Sequence, residues 1–170
     1  MNSLLKIVDE EKIILRYDYI PQQMHTLGFY DNDGEGNITI ILHSILKDFP
    51  RLLKCILSEE LGHHFTSVGH SFYKAINCEF WKSNHIKTEL KALKWSAFHL
   101  VPEKALDHAI EKEKLSTVYE LEDYFAITRE LILFRLRYRH DINFLSLHDL
   151  LVEENKYMQE VLGNLEKISI

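Results

Sequence analysis

The stretch Ser58-Glu59-Glu60-Leu61-Gly62-His63-His64 stands one histidine short of H-E-x-x-H. In that pattern a helix presents two metal ligands four residues apart, with a general-base Glu beside the first. Here Glu59 occupies the place of the first His, Glu60 follows as the candidate base, and His63 lies four residues beyond Glu59. At about 100° per residue, positions 59 and 63 share a helical face and position 60 adjoins it. One divalent ion is within reach of all three side chains, directly or through water.

The chain offers this spacing twice, since Glu60 and His64 are also four apart. In the second register the residue after the first ligand is Leu61, which cannot move protons. Only the Glu59/His63 register supplies ligand, base and ligand in order. The plain alternative is a surface helix carrying two acids and a capping His pair.

Outward from the motif, Pro50 opens a helical run, with Leu52, Leu53, Ile56 and Leu57 at three- and four-residue steps, that ends near Phe65. Upstream, residues 2–11 read as a short helix or arm and Ile13 to Tyr17 as a strand. Asp31 to Asn37 is a turn, with Ile38 to Leu42 the returning strand. An EF-hand-like calcium loop is not expected there, because the twelfth position from Asp31 is Leu42 and not Glu. Downstream, the segment to about Ser83 reads as an aromatic-rich loop. A second helix runs from near Lys87 to before Pro102, with Glu89 in its first turn and Leu93, Trp95 and Phe98 in the core. Ala92 is small enough to let this helix approach the first closely.

Pro102 begins a short helix through about Glu113. Ser116 or Thr117 caps one over Val118 to Phe125, and Thr128 caps another from Arg129 to about Tyr138. The pair has the outline of a helix-turn-helix. Arg129, Arg135, Arg137 and Arg139 make its second helix basic. The Arg face is either solvated or a docking surface for an acidic partner or a nucleic-acid backbone. An amphipathic tail helix is expected over 145–168. His64 is expected to orient a neighbour or cap its helix, and His70 to lie outside the ligand set.

The 170 residues suffice for one domain with a real core, and 46% hydrophobic with 27% charged residues is ordinary for a soluble globular chain. A formal net charge of −6 argues against a broad nucleic-acid-binding surface. Cys55 and Cys78 make no disulfide framework, which points to a reducing, cytoplasmic home, with Cys55 a buried core thiol. No apolar run reaches ~18 residues, so no membrane span is expected.

Several blocks together resemble one family. Ile56 to Gly69, reading ILSEELGHHFTSVG, is similar to the metal-binding helix of the ImmA/IrrE metallo-endopeptidases, and Glu89 to Pro102 resembles that family's second block. Ile20-Pro21, Gly28-Phe29-Tyr30 and Asn37 to Leu42 resemble its hairpin, and Tyr119 to Thr128 with Phe134-Arg135-Leu136 its following module. The resemblance covers about residues 12–140. It implies an α+β, zincin-like, mainly helical fold with a small antiparallel sheet or hairpin near the N-terminus. The catalytic domain would span 1–113 and a helical C-terminal region 114–170.

Residue by residue, the resemblance implies Glu59, His63 and Glu89 as metal ligands and Glu60 as the catalytic base, with Zn2+, Mn2+ or another divalent ion as cofactor. Glu59 departs from the family's His. Glu is a competent zinc ligand. Two carboxylates and one imidazole nevertheless cancel a divalent charge, so water at such a centre is acidified less. The swap also favours harder ions such as manganese. The implied activity is endopeptidase cleavage of a helix-turn-helix repressor, of the kind encoded by phages and mobile elements. The alternative is a weak or inactive regulator that binds a repressor or DNA through residues 117–140.

Overall fold

The computed structural model describes residues 1–66 and 79–139, with side chains from 79 to 86 left aside. The protein is mixed α+β. Helix α1 (Asn2–Glu10) leads into strand β1 (Ile14–Asp18), then β2 (Gly28–Asn32) and β3 (Ile38–His43). Helices α2 (Pro50–Thr66), α3 (Glu79–Leu100), α4 (Glu103–Asp107), α5 (Val118–Phe125) and α6 (Arg129–Leu136) follow, with a π turn at His108–Lys112. Among the described residues no helix is long and apolar enough to cross a membrane.

The sheet has the order β1-β3-β2. Strands β2 and β3 form the expected antiparallel hairpin, pairing Gly28 with Leu42 and Asn32 with Ile38. The Asp33 carboxylate builds the turn, accepting from the Glu35 and Asn37 amides at 2.8 and 3.1 Å. Gly34 and Gly36 supply the left-handed angles it needs, at φ 80° and 101°. The wholly antiparallel sheet expected from the resemblance is corrected by β1, which runs parallel to β3 from Ile14–Thr39 to Asp18–His43. About twenty residues separate these two strands, room for a crossover connection rather than a tight turn.

Two apolar clusters meet at α2. Leu4, Val8, Leu27, Ile40, Leu42, Leu57 and Leu61 join α1 and the sheet to one side of it. Cys55 joins Leu93, Ala97, Leu106, Leu121, Ile127 and Ile132 from α3 to α6 on the other. Burial pushes the Cys55 thiol up to about 11, as suits a core residue.

The second long helix begins at Glu79, not near Lys87, so part of the expected loop is helical and Glu89 sits in the helix interior. Leu93 is buried as expected, whereas Trp95 and Phe98 are half-buried. Thr117 caps α5 in a full capping box with Glu120. Thr128 holds the N-cap position of α6 but makes no side-chain cap bond. The expected basic face of α6 is corrected. Arg135 is fully buried, donating through Nε to the Val101 carbonyl at 2.8 Å, pairing with Glu103 and lying 4.0 Å from the centre of the Phe98 ring. Arg139 pairs with Asp107 at 2.9 Å. His70, Cys78 and the tail helix over 145–168 lie outside the described residues.

Candidate metal centre

Helix α2 carries Glu59, Glu60 and His63, and α3 brings Glu89 to them. Glu59, His63 and Glu89 each offer one ligand atom, and these atoms lie within 4.8 Å of one another. His63 Nε2 is 3.4 Å from Glu89 Oε2. His63 is buried, while Glu59 and Glu89 are half-buried, so the cluster opens to one side. The donor set suits a divalent cation: two anionic oxygens and one imidazole nitrogen, on two rigid helices.

The convergence depends on how closely the helices approach. Gly62 sits directly against Ala92, and a Cβ at 62 would lie 2.9 Å from both the Ala92 Cα and its carbonyl carbon. Ser58 and Ser96, each one turn away on its own helix, are also fully buried. Small side chains along both helices thus allow near backbone contact, which places Glu89, one turn before Ala92, level with His63.

Glu60 lies on the adjoining face and is buried, with 7% exposure. Burial first, and the charge of Glu89 second, raise its carboxyl to about 8, against the opposing hydrogen bond from the Tyr30 backbone N–H. Gly28 makes room for it: a Cβ there would meet Glu60 Oε1 at 2.5 Å and Ile56 Cγ2 at 2.6 Å. Burial pulls the His63 imidazole down, but its hydrogen bond to Glu89 and the charges of Glu89 and Glu59 outweigh this and leave it raised.

The structure therefore brings together all four residues singled out in the sequence. It adds Gly28, Tyr30 and Gly62, whose roles sequence reading missed. The signal for Gly62 was a glycine at a mid-helix position beside a ligand, where it costs helix stability unless close packing requires it. Glycine and tyrosine in a strand carry no comparable signal. His64, expected to orient a neighbour, faces Tyr30 and Glu11 at 3.4 and 3.3 Å. No protein-family model, curated protein or solved structure matches the chain.

Proposed function

We propose that the chain is a zincin-like metal-dependent endopeptidase of the ImmA/IrrE kind, with Glu59, His63 and Glu89 as ligands for zinc or manganese. One observation carries this reading: three donor atoms from two helices lie within 4.8 Å of one another, and the buried carboxyl of Glu60 stands on the adjoining helical face. A bound divalent ion would supply Lewis-acid polarisation of the scissile carbonyl and positive charge that favours ionised Glu60.

The remaining work falls to the protein's own groups. Ionised Glu60 takes a proton from the attacking water and passes it to the leaving amine. The Tyr30 N–H holds its carboxylate, and the absent side chain of Gly28 gives it space. Burial alone would leave Glu60 protonated at neutral pH, so its use as a base depends on a cation beside it. The substrate class is the one the resemblance implies, a helix-turn-helix repressor.

The alternative regulator, docking a repressor or DNA through residues 117–140, loses support from the burial of Arg135 and the pairing of Arg139. The test is co-expression with a helix-turn-helix repressor. The wild type is expected to cut it, and Glu60→Gln to leave it whole while keeping its metal. Full cleavage by Glu60→Gln, or no cleavage by folded, metal-loaded wild type, would overturn the reading.

A further inference from the structure

Once Glu59 and His63 are assigned, the second copy of the motif spacing, Glu60 with His64, is left over. The two registers occupy adjoining faces of α2. Glu59 and His63 turn toward Glu89 on α3. Glu60 and His64, one turn apart, turn toward β2. There both reach the same residue. Glu60 faces the Tyr30 backbone N–H, its Oε1 lying 2.5 Å from where a Cβ on Gly28 of the same strand would stand, and His64 Nδ1 lies 3.4 Å from the Tyr30 hydroxyl. Strand residue 30 is thus gripped by its backbone and by its side chain from one face of one helix.

The grip has further anchors. His64 Nε2 lies 3.3 Å from Glu11 Oε2, just beyond α1, and the His64 side chain is only 13% exposed. The Asn32 amide donates to the Tyr30 hydroxyl at 3.5 Å. Phe65 packs edge-on against the His64 ring with centroids 4.8 Å apart. These contacts matter because, among the described residues, β2 is an edge strand, laddered on one side only, to β3. An edge strand has no second neighbour to fix its position. The Glu60 carboxylate takes its hydrogen bond from that strand, so any drift of β2 misplaces the donor.

We propose that His64 is a positioning residue: by bridging Glu11 and the Tyr30 hydroxyl, it fixes β2 so that the Tyr30 N–H stays on the Glu60 carboxylate. Its meaning for catalysis rests on Glu60 being the general base, but the clamp is testable without turnover.

The experiment follows amide hydrogen exchange by NMR in the full chain, for wild type, His64→Phe and His64→Gln. Phe fills the space without hydrogen bonds. Gln can accept from Tyr30 and donate to Glu11. In His64→Phe, protection of the Tyr30 amide is expected to fall roughly tenfold, the scale of one hydrogen bond, with Ile40 and Leu42 unchanged. His64→Gln should recover most of the loss. Unchanged Tyr30 exchange in His64→Phe overturns the proposal. So does an equal fall across β2 and β3, which would make His64 a support for the whole sheet. If His64→Phe does not fold, Tyr30→Phe removes the hydroxyl alone and should loosen its own amide likewise, and an unchanged amide there overturns the clamp. Cleavage of a co-expressed repressor is scored alongside. Loss of all cleavage in wild type would sink the peptidase reading, while the amide result still decides the clamp.

Discussion

Gly62 on α2 rests on the backbone of Ala92 on α3, and no side chain fits between them. His63 is the next residue along α2, and Glu89 lies one turn before Ala92. The separation of the two helices at this point therefore sets the distance between two candidate ligands.

Gly62→Ala tests that dependence. In an ordinary helix interior the change would stabilise by roughly 0.5–1 kcal/mol. Here the added methyl must push α3 away, so a loss of about 1–3 kcal/mol is expected, the usual cost of overpacking. Zinc affinity should fall at least ~10-fold through displacement of Glu89, since 1.4 kcal/mol is about a factor of ten. Thermal melts and zinc titration read the two effects. A more stable variant with unchanged affinity would contradict the close-approach account.

Glu60→Gln should reveal the buried carboxyl through pH. With a folded value of about 8 against an ordinary 4.5, the folded metal-free protein holds this proton more tightly than the unfolded chain. The associated stability is present in full below about pH 4.5 and is lost as pH rises toward 8. Gln has no such loss. The variant should therefore gain on wild type between pH 5 and 8, by roughly 3–5 kcal/mol if the full shift is expressed. Melting both proteins without metal across that range checks this. A constant difference would place Glu60 in water.

Much of this arrangement was legible from the residues. Pro50 and the leucine spacing bounded α2, the four-residue step put Glu59 and His63 on one face, and the Asp/Asn/Gly run marked the hairpin turn. Glu89 came from resemblance, because a lone Glu on a separate helix has no local signature. The parallel pairing of β1 with β3 was not legible, since both hairpin and crossover use the same β-branched residues. Nor was the burial of Arg135. An arginine reads as surface until the Val101 carbonyl and Glu103, some thirty residues away, are seen to receive it. The start of α3 was misplaced because its first residues, Glu79 onward, include aromatics and Asn84, which carry no helical signature.

Metal binding should release protons. His63 and Glu60 both have raised values, so near neutral pH each is protonated in a share of the metal-free protein. A ligating imidazole must be neutral, and a cation beside Glu60 favours its ionised form. Zinc affinity should thus climb with pH through the range above 6.5. Calorimetry in buffers of different ionisation enthalpy should find up to about two protons released per ion, and fewer in Glu60→Gln. Affinity independent of pH would exclude His63 as a ligand.

Glu59→His would restore the more usual donor set. It returns one unit of positive charge to the centre and adds a nitrogen ligand that zinc favours. Zinc titration should show tighter binding than wild type. Equal or weaker affinity would mean that Glu59 is no ligand or that its neighbours are tuned to a carboxylate.

The central claim is that Glu59, His63 and Glu89 together hold one divalent ion. Elemental analysis of protein purified without chelator tests it most directly, comparing wild type with His63→Ala at matched folding. The account predicts about one zinc or manganese per chain in the wild type, as a single three-ligand site requires, and almost none in the variant. A wild type without stoichiometric metal, or a variant that keeps it, would contradict the account.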